Sequence, residues 1–244
     1  MKKLMFKIMI FAHRLVRGIA NRILDKSSIR PRNFSNKMLH LYAPFFNGDV
    51  INVSGWKDED GEGGNYKSYF IKANNYTVSN IKGHKKGLGS VGLQYREIEL
   101  DLLREVSNSL KGKFDAVFNH TTLEHVYDFQ QAFRHLCELS KDIVIIVVPV
   151  MQQIHQTADF GDYWRPTTMT IARLFLENGF EPLVIKCNDQ PFAPVYCFAI
   201  GSRKPNAYQG KFAKEIDFQM GRHNYGSSLN KEGVNEVLKK AMGE

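Results

Sequence analysis

FDAVFNHTTLEHVYDFQQAFRHLCELSKDIVIIVVP, residues 114–149, decides the architecture of this chain. Residues 114–120 read as a strand. Over 125–140, Val126, Phe129, Phe133, Leu136 and Leu139 fall at helical spacing, which predicts a helix with one apolar face. Residues 142–150 (DIVIIVVPV) form a continuous apolar run, the pattern of a strand covered on both sides at the centre of a parallel sheet. Strand, helix, strand in this order is the repeating unit of an α/β layer.

The same alternation extends outward. Upstream, 49–55 (DVINVSG), 76–81 (YTVSNI) and 95–100 (YREIEL) read as strands, with a short helix at 65–73 and a helical turn at 102–110. Downstream, a helix over 168–178 stops at Gly179, and strands follow at 181–187 and 195–202. The joint at 188–194 is short, carries Pro191 and Pro194, and suits a hairpin and so an antiparallel edge. The expected fold is α/β: a doubly wound, Rossmann-like, mostly parallel sheet with one antiparallel strand near the C-terminus. Such sheets bind ligands beyond the carboxyl ends of the strands, where strand order reverses. Three segments are expected: an N-terminal arm (1–37), the α/β domain (38–204) and a polar C-terminal extension (205–244) with a short helix at 232–241.

Composition narrows the function. With 43% hydrophobic and 24% charged residues in 244, the chain is globular and not disordered. No apolar run is long enough to span a bilayer. Cys137, Cys187 and Cys197 are too few and too scattered for a disulfide framework or zinc site, and suit a reduced, cytoplasmic protein. Residues 1–37 hold ten basic side chains and one acid, a net +9, so the remaining residues carry −1. A nucleic-acid enzyme spreads basic charge over its folded surface. Here the excess sits in the arm, so nucleic acid is not an expected partner.

Within the arm, residues 3–24 read as an amphipathic helix. Leu4, Ile8, Phe11, Ala12, Leu15, Val16, Ile19 and Ile23 share one face, and Lys3, Lys7, Arg14, Arg17 and Asn21 lie opposite, with Phe6, Ile10 and Arg22 off the pattern. The Arg30-Pro31 step ends the segment. Lys7 interrupts the apolar region and Arg14 and Arg17 follow it, so a secretory signal is not expected. Two readings stay open. The helix lies on an anionic membrane surface, making the protein peripheral on the inner face of the cell membrane, or it packs on the domain or on a second subunit of a homodimer.

Residues 114–149, together with DYWRPTTMTIARLFLENGFEPL (162–183), resemble class I S-adenosylmethionine-dependent methyltransferases of the type 11-like group. The shared features are the fourth strand, an LEHV-x-D helix start, a fifth strand ending in Pro, and a Gly-Phe entry to strand six. The resemblance covers about residues 45–203. It implies S-adenosyl-L-methionine as cofactor. It departs from the family in the glycine-rich loop, where NVSGWKDEDGEGG (52–64) keeps only Gly55 near the turn, and in the ribose-binding acid, replaced around Asn80. The stretch 57–64 reads equally as an acidic surface loop. This degenerate loop resembles that of methyltransferases from bacterial surface-polysaccharide pathways.

On the family's pattern, Ser54, Gly55 and Trp56 would meet the methionine part of the cofactor, and Asn80 with Ile81 the ribose. Asp101 would meet the adenine amine, with Leu102 on the ring; Asp101 reads equally as a helix N-cap. Asn119 and His120 would lie near the sulfonium. Transfer to a hydroxyl needs a base, for which His120 and His155 compete; His125 beside Glu124 reads as orienting its turn. In the loop over 150–167, Tyr163 and Trp164 would stack on a sugar, Arg165 would pair a phosphate, and Asp159 would face the acceptor; each reads singly as an ordinary packing or capping residue. The His120 to His125 spacing is one residue off the helical zinc signatures, so no metal is expected. The activity implied is O-methylation of a sugar or glycan precursor of a bacterial surface polysaccharide. The alternatives are a methyltransferase for another small molecule or phosphate ester, and a non-catalytic Rossmann-like module recruited to a glycan-assembly complex.

Overall fold

The structure, a computed structural model, describes residues 2–23, 30–81, 96–188, 195–211 and 215–216. Helix α1 (Lys2–Ile23) is followed by α2 (Pro31–Tyr42), β1 (Gly48–Val53), β2 (Ala73–Asn80), β3 (Glu97–Glu99) and β4 (Phe114–His120). Then come α3 (Phe129–Leu139), β5 (Ser140–Pro149), α4 (Thr168–Glu177), β6 (Glu181–Cys187), β7 (Tyr196–Ser202) and β8 (Glu215–Ile216). The eight strands form one sheet in the order β3-β2-β1-β4-β5-β7-β6-β8. Among the described residues only β7 runs antiparallel to its neighbours. The antiparallel strand is therefore not the edge expected from the hairpin. It is inserted between β5 and β6, where Phe198, Ala199 and Ile200 are buried, and β8 from the C-terminal extension closes that side.

Successive side chains of a strand point to opposite faces, and both faces are covered. On one face Ile51, Val53, Val117, Val144, Ile146 and Val148 pack against Phe133, Leu136 and Phe175 of α3 and α4. On the other, Val50, Ala116, Phe118, Ile145 and Val147 pack against Phe34, Met38 and Leu39 of α2 and against Tyr66, Tyr69 and Phe70. Seven consecutive residues of β5, 143–149, are buried, as an apolar run at a sheet centre requires. Helix α3 is capped by Asp128, whose carboxylate accepts from Gln131 N at 3.0 Å, and α4 by Thr167. Gly179 ends α4 at φ +75°, with Phe180 N returning to the Phe175 carbonyl at 2.9 Å. The three cysteines are unpaired and buried.

Three local expectations change. The helix expected at 65–73 is a single 3-10 turn, Tyr66–Tyr69, because Asn65 caps Ser68 and Tyr66 and Tyr69 turn inward. The helical turn at 102–110 is a run of tight turns pinned by Asp101 Oδ1, which accepts from Leu103 N at 2.9 Å. Helix α3 starts four residues later than read, after a 3-10 turn at Leu123–His125. The boundary expected at 37/38 falls inside α2. Pro31 at the first turn starts a second helix, and Phe34, Ser35 and Asn36 are already buried in the domain. Helix α1 takes nearly its expected span, with every described side chain exposed, both the apolar row and the basic row. The helix read at 232–241 lies outside the described residues.

Candidate active site

Strand order reverses at β1, whose neighbours are β2 on one side and β4 on the other. A cleft of about 710 Å³ opens beyond the carboxyl ends of these strands, the place and size expected of a ligand site in such a sheet. Of the sequence-predicted residues, the structure brings Ser54, Gly55, Trp56, Asn80, Ile81, Asp101, Leu102, His120, Asp159 and Tyr163 to its walls. Asn119, His155, Trp164 and Arg165 are not on those walls.

The segment after β1 turns without a glycine-rich loop. Ser54, Trp56 and Asp58 adopt positive φ of 58°, 45° and 59°, a conformation costly for a bulky L residue. Buried hydrogen bonds hold it. Asp58, fully buried, accepts from Asn52 Nδ2 at 2.7 Å, the Tyr76 hydroxyl at 2.6 Å and Lys67 N at 3.0 Å. Asp60 accepts from Glu62 N, Gly64 N and the Tyr69 hydroxyl, and these donors keep its carboxyl below the ordinary range despite burial. The stretch 57–64 is thus not simply an acidic surface loop: two of its acids are interior acceptors. Gly55 is required by close approach, since a Cβ there would stand 2.5 Å from Asn52 Nδ2 and 3.1 Å from Val78 Cγ1. Trp56 lines the cleft without filling it. Its backbone N–H donates to Asn80 Oδ1 at 2.7 Å, while Asn80 Nδ2 donates to Glu97 Oε1 at 2.7 Å. Asn80 therefore stitches the loop to β2 and β3. Asp101 is both cleft wall and turn cap.

His120 stands at the end of β4. Its Nε2 is 2.8 Å from Ser35 Oγ on α2 and its Nδ1 is 3.0 Å from Thr121 Oγ1. Tyr66 stacks on the ring at 5.5 Å. Burial, and then the nearby Arg32 cation, hold the imidazole well below its usual pKa. It is neutral near pH 7; the Ser35 hydroxyl donates to the Arg32 carbonyl and so accepts from Nε2–H, which leaves the lone pair on Nδ1, facing the Thr121 hydroxyl. Asn119 is buried behind it and donates to the Val53 carbonyl at 2.9 Å, tying β4 to β1.

The loop after β5 organises around Asp162. That fully buried carboxylate accepts from Arg165 Nη1 and Nη2, both at 2.6 Å, and from His155 N at 2.8 Å. Arg165 holds the acid far below its ordinary pKa. With Nε on the Gln152 carbonyl at 2.9 Å, Arg165 is spent on loop architecture and not presented to a phosphate. Trp164 donates Nε1–H to the Tyr127 carbonyl at 2.9 Å and sits over Phe129. Tyr163 does reach the cleft, edge-on to Tyr127 at 5.4 Å.

Sequence reasoning missed Arg32 and Tyr66, which form one wall and are joined by a 3.0 Å hydrogen bond. The 1–37 boundary counts Arg32 with the basic arm. The signal was present: Pro31 with Phe34, Met38, Leu39 and Tyr42 at helical spacing marks a second helix that belongs to the domain.

No family model matches the sequence, and no curated protein matches it. In structure the chain is similar to the 1,6-didemethyltoxoflavin-N1-methyltransferase of Burkholderia thailandensis, solved with 1,6-didemethyltoxoflavin and S-adenosylhomocysteine. That likeness has 13% identity and a TM-score of 0.50 over 82% of this chain and 88% of that one. It is similar also to an S-adenosylmethionine-dependent methyltransferase of Mesorhizobium loti, at 10% identity and TM-score 0.50 over 68% of this chain and 96% of that one. These likenesses establish a Rossmann-like fold, shared with these two methyltransferases.

Proposed function

We propose that the cleft binds S-adenosyl-L-methionine and that the protein methylates a hydroxyl of a sugar or glycan precursor of a bacterial surface polysaccharide. The observation that carries the reading is the cleft itself, at the strand-order reversal of a methyltransferase fold, walled by the residues that the sequence resemblance assigns to cofactor except Asn119. The residues fit the group. Asp101 supplies a carboxylate, and Ile81 and Leu102 supply apolar wall. When bound, the cofactor supplies an electrophilic methyl carbon on a sulfonium.

The chain's own residues then position and deprotonate the acceptor. Tyr66, Tyr127, Phe160 and Tyr163 give an aromatic wall for the apolar face of a sugar ring. His120 accepts the hydroxyl proton, directly or through Thr121, which shares the cleft wall and touches Nδ1. Holding donor and acceptor together removes much of the entropic barrier. Calorimetric titration with S-adenosylhomocysteine tests the reading: saturable binding at a single site is expected, and no heat at high micromolar ligand removes it.

The arm supports a place at the membrane. In α1 an apolar row (Leu4, Ile8, Phe11, Leu15) and basic residues (Lys3, Lys7, Arg14) are all exposed. Among the described residues no helix is long and apolar enough to cross a bilayer. A helix of this kind binds by apolar burial plus attraction to anionic headgroups. The full chain is expected to sediment with phosphatidylglycerol vesicles, and to lose this on deletion of residues 1–26 or in high salt. Unchanged sedimentation after deletion refutes the anchor. Loss of a dimer on deletion, with no vesicle binding by either form, assigns the helix to a second copy.

A further inference from the structure

Glu124 poses a problem that the cleft does not solve. Its side chain is 0% exposed, and neither carboxylate oxygen has a hydrogen-bond partner. A buried carboxyl left without partners is expensive, and native structures rarely leave one unexplained. Burial, with the Asp162 carboxylate adding to it, pushes its pKa up to about 8 against the pull of the Arg165 and Arg32 cations.

Two imidazoles face this carboxyl. His125 Nε2 is 3.7 Å from Glu124 Oε1. His125 Nδ1 donates to the Gly161 carbonyl at 2.6 Å, which leaves the lone pair on Nε2, the nitrogen beside the carboxyl. His155 comes from the loop after β5 and meets the His125 ring edge-on, with centroids 4.9 Å apart. Its Nδ1 is 3.1 Å from Asp162 Oδ2 and 3.3 Å from the Gln153 carbonyl, so Nε2 is its lone-pair nitrogen. Asp162 is in turn fixed by Arg165. One ligand atom from each of Glu124, His125 and His155 lies within 4.8 Å of the other two.

We infer that Glu124, His125 and His155 form a binding site for a divalent transition-metal ion of the zinc type. The donor set is two neutral imidazoles and one carboxylate, which suits a borderline cation and leaves a further position open. Each histidine has its other ring nitrogen tied to an oxygen acceptor, the outer arrangement that orients a metal-bound imidazole. Metal bonds of about 2.0–2.2 Å draw the three ligands inward from their present spread. The ion supplies the coordinating Glu124 oxygen with the partner it lacks. It also joins the turn after β4 to the loop after β5. His125 is a wall of the cleft, so the ion fixes that side of the cleft. The spacing of His120, Glu124 and His125 along the chain does not reveal the set, because the third ligand comes from another loop and His120 belongs elsewhere.

The test uses the full chain, stripped with chelator and titrated with zinc chloride by calorimetry, without any nucleoside ligand. One equivalent is expected to bind saturably and to raise the melting temperature. His155→Ala removes a ligand whose side chain is 35% exposed, so the variant folds. It is expected to weaken zinc binding at least about tenfold, the scale on which even outer partners act, and to abolish the thermal shift. His125→Asn does the same. Glu124→Gln checks the carboxylate independently, and its thermal shift with zinc is also expected to vanish. Absence of saturable zinc binding in the wild-type chain overturns the proposal. So does zinc binding that His155→Ala leaves unchanged, which assigns the metal to other surface groups.

Discussion

Asp58→Ala is expected to lower the melting temperature by about 10 °C and to abolish S-adenosylhomocysteine binding. The carboxylate is fully buried and gathers three donors: Asn52 Nδ2, the Tyr76 hydroxyl and Lys67 N. Alanine leaves all three without that acceptor inside the domain, and each unsatisfied buried group costs about 1–3 kcal/mol. The lower end of that sum, about 3 kcal/mol, converts to about 6–12 °C for a chain of this size. Alanine also tolerates the φ of 59° less well than aspartate. The ligand effect follows because the same carboxylate holds the turn that carries Ser54, Gly55 and Trp56 to the cleft. Asp58→Asn keeps one acceptor oxygen and the tolerance for positive φ, and is expected to fall between. Scanning calorimetry with ligand titration reads both effects. A variant with wild-type melting and wild-type affinity would show that the turn is held by something else.

His120→Gln is expected to lower kcat by about 10²–10⁴-fold, the usual contribution of a general base, with cofactor-product affinity close to wild type. Glutamine keeps a polar end toward Ser35 and Thr121 but cannot take a proton near pH 7. The pH profile carries the more specific signature. Burial and Arg32 lower the His120 pKa, with Tyr66 and Tyr196 as the other ring neighbours. The wild-type rate should therefore stay level from neutral pH down through 6.5, the ordinary histidine value, and fall only in more acid solution. Stability has the same sign. The unfolded chain protonates His120 below its ordinary pKa while the folded chain resists, so this contribution is present above that pH and lost as pH falls. In His120→Gln that acid-side loss of stability should shrink. A rate that titrates with an ordinary histidine pKa, or one unchanged by the substitution, would remove His120 from the base role.

Much of the fold was legible because it rests on short-range periodicity. The uninterrupted apolar run of β5 can only be covered on both faces. The spacing of Phe129, Phe133 and Leu136 fixes the side of α3 that packs, and Gly179 fixes where α4 stops. Those signals lie within a few residues of one another. Pro31 shows their ambiguity: in the sequence it reads as the end of the arm, in the structure it opens α2, and only burial of Phe34 and Leu39 against the sheet assigns Arg32 to the cleft.

The tertiary structure alone decided what separate segments do when they meet. Sequence placed Asp58 and Asp60 in a charged stretch; the chain turns both inward because Tyr76, Tyr69 and backbone donors are waiting there. It offered Arg165 for a phosphate, and the fold spends it on Asp162. It left Glu124 and His125 beside one another without His155, which arrives from a loop two elements later. Periodicity records which side of an element is buried, since burial acts residue by residue. It does not record which distant polar groups find each other, because that pairing is set by the order of strands in the sheet.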